Sequence, residues 1–211
     1  FQVDVIDWHD RIMATDDDET GKADGVLEKS RDMGLTWLMV GIAAHGWYFD
    51  EDYLCMLLSY KEEMVDSPSP KSMFYKPRAL LGLNTRVPTT CHAPGTPYHG
   101  AKLRLPKWHI PAGFDSKLHD RKLSLSHPSK TNMITGESTT GKAGTGDRQN
   151  EVMADEGAKN KELGNIWSGL TAVTDHRFVW SSAWRIDGDG MYTLTEKARA
   201  AARNPSLPGP S

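Results

Sequence analysis

Apolar positions along the chain fall into short runs separated by polar and glycine-rich breaks. Val3 to Asp7 carries β-branched residues ahead of a polar end and predicts a short strand. From Ala23 to Met33, Val26, Leu27 and Met33 mark one face and Gly34 stops the run, the pattern of a helix. Leu35 to Ile42 is continuously apolar and of strand length, which suits a strand covered on both faces. Strand, helix, strand in that order is a βαβ unit. Trp47 to Phe49 reads as a short strand, Glu51 to Met64 as a second helix and Arg78 to Asn84 as a strand. Leu103 to Ile110, Lys122 to Ser126 and Thr131 to Thr135 are weaker strands. Glu151 to Leu170 reads as a loosely amphipathic helix and Arg177 to Ile186 as a strand. Thr195 to Ala202 closes the series as a helix with Thr195 as its N-cap. Residues 85 to 100 and 136 to 146 are loops on their proline and glycine content. Roughly eight strand candidates with helices between them fit a compact (β/α)8-type barrel, and an open parallel sheet is the alternative. One α/β domain is expected over residues 1 to 203, with an extended tail from 204 to 211.

Composition narrows the class. Hydrophobic residues make up 38% of the chain and charged residues 25%, enough for a packed core. The formal net charge of -3 argues against non-specific nucleic-acid binding, which needs a basic face. No apolar run approaches the roughly 18 residues of a membrane helix. Cys55 lies in an apolar stretch and reads as a buried free thiol. It and Cys91 are the two cysteines, which neither demand nor forbid a disulfide. The chain begins with Phe1, which reads as a processed, trimmed or fragmentary protein and leaves open the loss of an export signal.

Three segments carry a resemblance to a known family. LEKSRDMGLTWLMVGI (Leu27 to Ile42) resembles the first helix and second strand of (β/α)8-barrel glycoside hydrolases. NMITGE (Asn132 to Glu137) is similar to their seventh strand, which ends in the nucleophilic Glu. FVWSSAWRIDGDGMYTLT (Phe178 to Thr195) resembles their eighth strand and the loop after it. The resemblance implies a carbohydrate-active protein that cleaves or binds a polysaccharide, without metal or other cofactor; with the charge and hydropathy above, no nucleic-acid or membrane partner is expected. It makes Glu137 the catalytic carboxylate, since glycoside hydrolysis needs two carboxyl groups flanking the bond. The family's acid/base Glu follows an Asn at the end of strand four. Here Asn84 is followed by Thr85, which cannot act as a carboxylic acid, so binding without cleavage stays open. Asn84, His109, His127, Trp180 and Trp184 are the candidate sugar contacts. Trp180 and Trp184 share a face if the segment is a strand, and core packing is the competing reading for them.

Other motifs are weaker. His92, His99, His109, His119 and His127 match no metal-ligand spacing and read as scattered loop residues. Gly136 to Ala143 nearly matches the phosphate-binding G-x-x-x-x-G-K-[ST], but Ala143 replaces the hydroxyl that would hold magnesium. No ATP or GTP binding is therefore expected there. Asp187 to Gly190 reads as a tight turn. The alternatives to carbohydrate activity are a structural or assembly protein, such as a virion or surface-layer component, and a nucleotide-dependent enzyme using the Gly136 loop.

Overall fold

The computed structural model describes residues 1–14, 23–31, 33–83, 110–138, 147–182 and 190–203. Among these, seven strands form one open mixed sheet. They are β1 (Ala23–Lys29), β2 (Leu54–Ser59), β3 (Asp120–Arg121), β4 (Ser124–Ser126), β5 (Met133–Ser138), β6 (Glu151–Asp155) and β7 (His176–Ser182). Their order is β1-β7-β6-β2-β5-β4-β3. The five from β1 to β5 along this order run parallel, and β4 and β3 add an antiparallel edge. The sheet does not close on itself, so the barrel expected from the sequence is replaced by its open-sheet alternative.

Helices cover both faces. On one lie α1 (Gln2–Met13), α2 (Leu35–Phe49), α3 (Glu62–Val65) and α4 (Tyr75–Leu80). Val5, Met39, Val40, Trp47, Val65 and Phe74 pack there against Cys55, Leu57, Ile134, Met153, Phe178 and Trp180. On the other lie α6 (Leu163–Gly169) and α7 (Gly190–Arg203), where Ile166, Trp167, Met191 and Leu194 meet Met56, Leu58, Val152, Ala154 and Val179. A short helix, α5 (Ser116–His119), precedes the antiparallel edge. Alternate residues of each central strand thus serve opposite layers, as a doubly covered sheet requires.

Several elements change type relative to the sequence expectation, and burial explains each. Val3 to Asp7 lies in α1: its buried residues are Val5 and His9, four apart, while Val3 is 68% exposed. Residues 23 to 29 form β1, a strand rather than a helix. There Gly25 lies flush against the rings of Trp8 and Phe178, where a Cβ would meet carbons at 2.5 and 2.6 Å. Leu35 to Ile42 is the first half of α2, which continues through the Trp47 to Phe49 segment. This helix is apolar nearly all round because it is wedged between the sheet, α1 and α4. Residues 54 to 59 form a strand whose last five residues are all buried, not part of a helix. Residues 75 to 80 are α4, so the predicted strand at Arg78 is helical instead. The segment from Glu151 begins as β6, and only Leu163–Gly169 is an α-helix. Thr195 lies inside α7 rather than at its start. Strands expected at β4, β5 and β7 and the last helix are found, but β5 runs on through Gly136, Glu137 and Ser138, where a loop was expected.

Candidate phosphate and metal site

In an open α/β sheet, ligands gather beyond the carboxyl ends of the parallel strands. At that edge β1 ends in Lys29, β6 in Asp155 and β2 in Ser59. The chain leaves β1 through Ser30 and Arg31 and enters α2 after Gly34. Gly34 adopts φ 71°, a left-handed conformation that glycine takes without strain, and open space lies where a side chain would stand. No side chain caps the start of this 15-residue helix, and its first turn carries no acid. Its first amide groups and its positive dipole end therefore face the open loop, an arrangement suited to an anion.

The second residue of the helix, Thr36, links the two halves of the site. Its Oγ1 donates to Asp155 Oδ2 at 3.1 Å, and Trp180 Nε1 donates to the same Oγ1 at 3.3 Å. Asp155 is further fixed by the Glu156 amide, which donates to its Oδ1 at 2.9 Å. Ser59 Oγ donates to the Asp155 carbonyl at 3.3 Å. Burial pushes the Asp155 carboxyl above its ordinary range, and the neighbouring charge of Glu156 adds to this. The Thr36 hydrogen bond and the charges of Lys29 and Lys76 pull the other way. A buried carboxylate short of positive charge, beside a hydroxyl, is a hard oxygen donor set. It fits a magnesium ion that keeps most of its ligands as waters and phosphate oxygens. No group of three or more His, Cys, Asp or Glu side chains that could hold a metal occurs among the described residues, so an all-protein cage is absent there.

Glu156 follows with φ 55° and ψ 44°, a left-handed conformation that costs a non-glycine residue energy and is concentrated at functional sites. Its carboxylate lies 3.8 Å from Lys29 Nζ and 3.0 Å from Lys159 Nζ. Lys76 approaches from beneath. It is 3% exposed, donates to the Pro70, Lys71 and Ser72 carbonyls, and stands 5.5 Å from the centre of the Trp37 ring. Burial lowers its pKa to about 8 against the pull of Asp155.

Sequence reasoning missed this constellation. Gly34-Leu35-Thr36 matches the end of G-x-x-x-x-G-K-[ST] with Leu35 in the lysine position, and Leu35 is 1% exposed in the core. Lys29 stands where the pattern opens with glycine. The readable signal was a Gly-x-Thr between two regular elements together with Asp155-Glu156 after an apolar run.

Of the residues singled out from sequence, those among the described residues lie on separate elements. Glu137 is half-buried in β5, paired in register with Leu58. Trp180 is fully buried in β7, its indole turned to Thr36. The His127 ring lies 5.0 Å from that of Trp47, and burial lowers its pKa. Its Nδ1 accepts from the Ser129 amide at 3.3 Å, while His119 Nδ1 lies 3.0 Å from the Asp115 carbonyl. Cys55 is buried and free, as its apolar setting predicts. Asn84, Thr85, Cys91, His92, His99, His109, Lys142, Ala143, Trp184, Asp187 to Asp189 and the tail from 204 lie outside the described residues.

No protein-family model matches the sequence, and no curated protein does. Among solved structures, the fold is similar to the crystal structure of the HK97 bacteriophage large terminase, with a TM-score of 0.54 and 13% identity. The likeness covers 88% of this chain and 34% of that one, so the chain spans about a third of that protein's length. Together with the open sheet, this overturns the resemblance to barrel glycoside hydrolases and the carbohydrate activity drawn from it. Glu137, His127 and Trp180 lose the sugar-binding context that singled them out. No helix among the described residues is long and apolar enough to cross a membrane. This chain, an open α/β sheet with a polar cluster beyond its strand ends, is similar in fold to part of the HK97 bacteriophage large terminase.

Proposed function

We propose that this chain is a nucleotide-hydrolysing unit that binds a magnesium nucleoside triphosphate between the start of α2 and the end of β6. The observation that carries the reading is the Thr36–Asp155 hydrogen bond at the carboxyl edge of the parallel strands. A hydroxyl on the first turn of a phosphate-binding helix and an Asp at the end of a neighbouring strand are the two protein groups that hold magnesium in such enzymes. The amides of the first turn of α2 take the phosphates. Lys29, at the end of β1, supplies the cation that Leu35 cannot. Glu156, beside Asp155, accepts a proton from the attacking water. Magnesium, when bound, neutralises charge on the phosphate oxygens.

This reading reverses the expectation of no ATP or GTP binding, because it uses a different loop from Gly136 to Ala143. It also reopens the question of a nucleic-acid partner, which net charge alone had argued against. The likeness in fold to a phage terminase supports that partner and is in keeping with the virion named in the assembly alternative.

The test is phosphate release from magnesium ATP and GTP by the purified chain, with Thr36→Ala and Asp155→Asn beside it. Hydrolysis that needs the metal and falls by at least about 100-fold in each variant is expected. Wild-type protein that is folded but neither binds nor hydrolyses either nucleotide would overturn the proposal. Assembly without catalysis would then be the better account.

A further inference from the structure

Lys159 has a position that the hydrolytic scheme leaves unused. It lies in the short 3-10 turn Gly157–Lys159 after Glu156. Its Nζ is 3.0 Å from Glu156 Oε2 and 5.4 Å from the centre of the Tyr60 ring. Lys61 Nζ stands 5.7 Å from the centre of the same ring. Tyr60 and Lys61 directly follow β2, the strand beside β6, so this aromatic ring and two ammonium groups flank the site. Of the acids next to Lys61, Glu62 pairs with Lys122 and Glu63 is exposed.

Glu156 is held by two cations, Lys29 and Lys159. A triphosphate at the α2 terminus draws Lys29 towards its oxygens. Lys159 then remains on Oε2 of Glu156 and holds that oxygen away from any water. An ion pair three residues apart with a 42% exposed lysine is weak and exchanges readily for a stronger anion. Both ammonium groups lie over the Tyr60 ring, and the phosphates of a nucleic-acid strand that draw them off leave a ring face on which a base stacks.

We propose that Lys159 is a switch on Glu156. A nucleic-acid strand bound at Tyr60, Lys61 and Lys159 takes the ammonium away from the carboxylate and frees it to activate water. The inference rests on the nucleotide-hydrolysis reading and adds to it both a partner and a means of stimulation.

The test compares wild type, Lys159→Ala, Lys159→Arg, Tyr60→Ala, Lys61→Ala and Glu156→Gln. Each is assayed for ATP hydrolysis with and without a single-stranded oligonucleotide, and for oligonucleotide binding by fluorescence anisotropy. In wild type the oligonucleotide raises the rate several-fold. Lys159→Ala is expected to hydrolyse at or above the unstimulated wild-type rate and to gain little from the oligonucleotide, whereas Lys159→Arg keeps the stimulation. Tyr60→Ala and Lys61→Ala are expected to bind the oligonucleotide about tenfold more weakly. With two phosphates neutralised, log affinity against log salt should have a slope of about -1.4. Wild type that hydrolyses ATP through Glu156 but ignores the oligonucleotide sinks the switch alone. So does a Lys159→Ala variant that is stimulated like wild type or loses its unstimulated rate tenfold. Absence of any hydrolysis by folded wild type sinks the nucleotide reading itself, and the switch with it.

Discussion

Thr36 and Asp155 belong to elements that are not neighbours, yet the Thr36 hydroxyl reaches the Asp155 carboxylate at 3.1 Å across the tip of β7. The indole of Trp180, on β7, donates to the same hydroxyl. One oxygen therefore ties the helix after β1 to the strand that ends in Asp155, with Glu156 next in the chain. Thr36→Ser should keep metal-dependent hydrolysis within about tenfold, because the hydroxyl is retained. Thr36→Val should lose at least about 100-fold while costing only about 1–3 kcal/mol of stability, the scale for a buried indole N–H left without its acceptor. Phosphate release and urea unfolding on the same preparations separate the two effects. Equal turnover in the serine and valine variants would refute a metal-holding role.

Glu156 joins an unfavourable backbone to a placed carboxylate. A non-glycine residue in this conformation costs about 1–2 kcal/mol. Glu156→Gly is expected to unfold at the same or slightly higher urea concentration than wild type. Glu156→Gln should leave nucleotide affinity within a few-fold. Both should lower turnover by about 100-fold or more, the scale of one acid–base group. A glycine variant that is clearly less stable would show that the residue's contacts outweigh its backbone strain.

His9 offers a pH-dependent test of how α1 is attached. Its Nε2 lies 2.8 Å from Glu151 Oε2, and its ring stacks on Phe178 with centres 4.6 Å apart. Burial works against its charge, but the hydrogen bond and charge of Glu151, helped by Asp10, outweigh burial and raise its pKa. A histidine raised on folding contributes stability that is complete below its ordinary value of about 6.5 and is lost as pH rises through the folded value. The stability advantage of wild type over His9→Gln should therefore be greatest near pH 6 and shrink towards pH 8.5. Urea midpoints across that range measure it, and an advantage that grows with pH would contradict the assignment.

Gly190 tests the packing of α6 against α7. A Cβ there would lie 2.6 Å from the Gly164 backbone nitrogen, which cannot swing aside as a side chain can. Gly190→Ala should cost about 1–3 kcal/mol, the usual range for forced overpacking. Thermal unfolding of the variant beside wild type decides this, and an unchanged midpoint would mean the two helices separate easily.

The strands β4, β5 and β7 and the last helix were legible in the sequence and the elements before them were not, for a reason visible in α2. LTWLMVGIAAHGWYF is apolar over 15 residues, a length that suits a helix, yet its first eight residues alone look like a buried strand. Reading them as a strand forced Ala23 to Met33 to be the helix before it. The true junction, strand then Gly34 then helix, was thereby turned around, and with it the Gly34-Leu35-Thr36 signal on which the proposed phosphate site rests. The buried strand was β2, whose Cys55 to Ser59 serve both layers, but the charged Glu51 and Asp52 before it and Lys61 to Glu63 after it read as helix ends. The strand ending at Asp155 was hidden in the same way inside a longer helical reading. β7 was easier because Phe178, Val179 and Trp180 are large and lie between polar flanks.

The position of β1 at the edge of the sheet sets an order of assembly. Its partner is β7, with Ala23 opposite His176 and Lys29 opposite Ser182. During synthesis β1 follows α1 and packs against it, but its sheet partner β7 emerges only after β2 to β6. Pairing of segments so distant in sequence is slow, because loop closure precedes any gain from the contact. The turn before Thr36 and the acid at Asp155 therefore meet only when the C-terminal part is in place. Until then the groups of the proposed centre, though all present in the chain, stand apart.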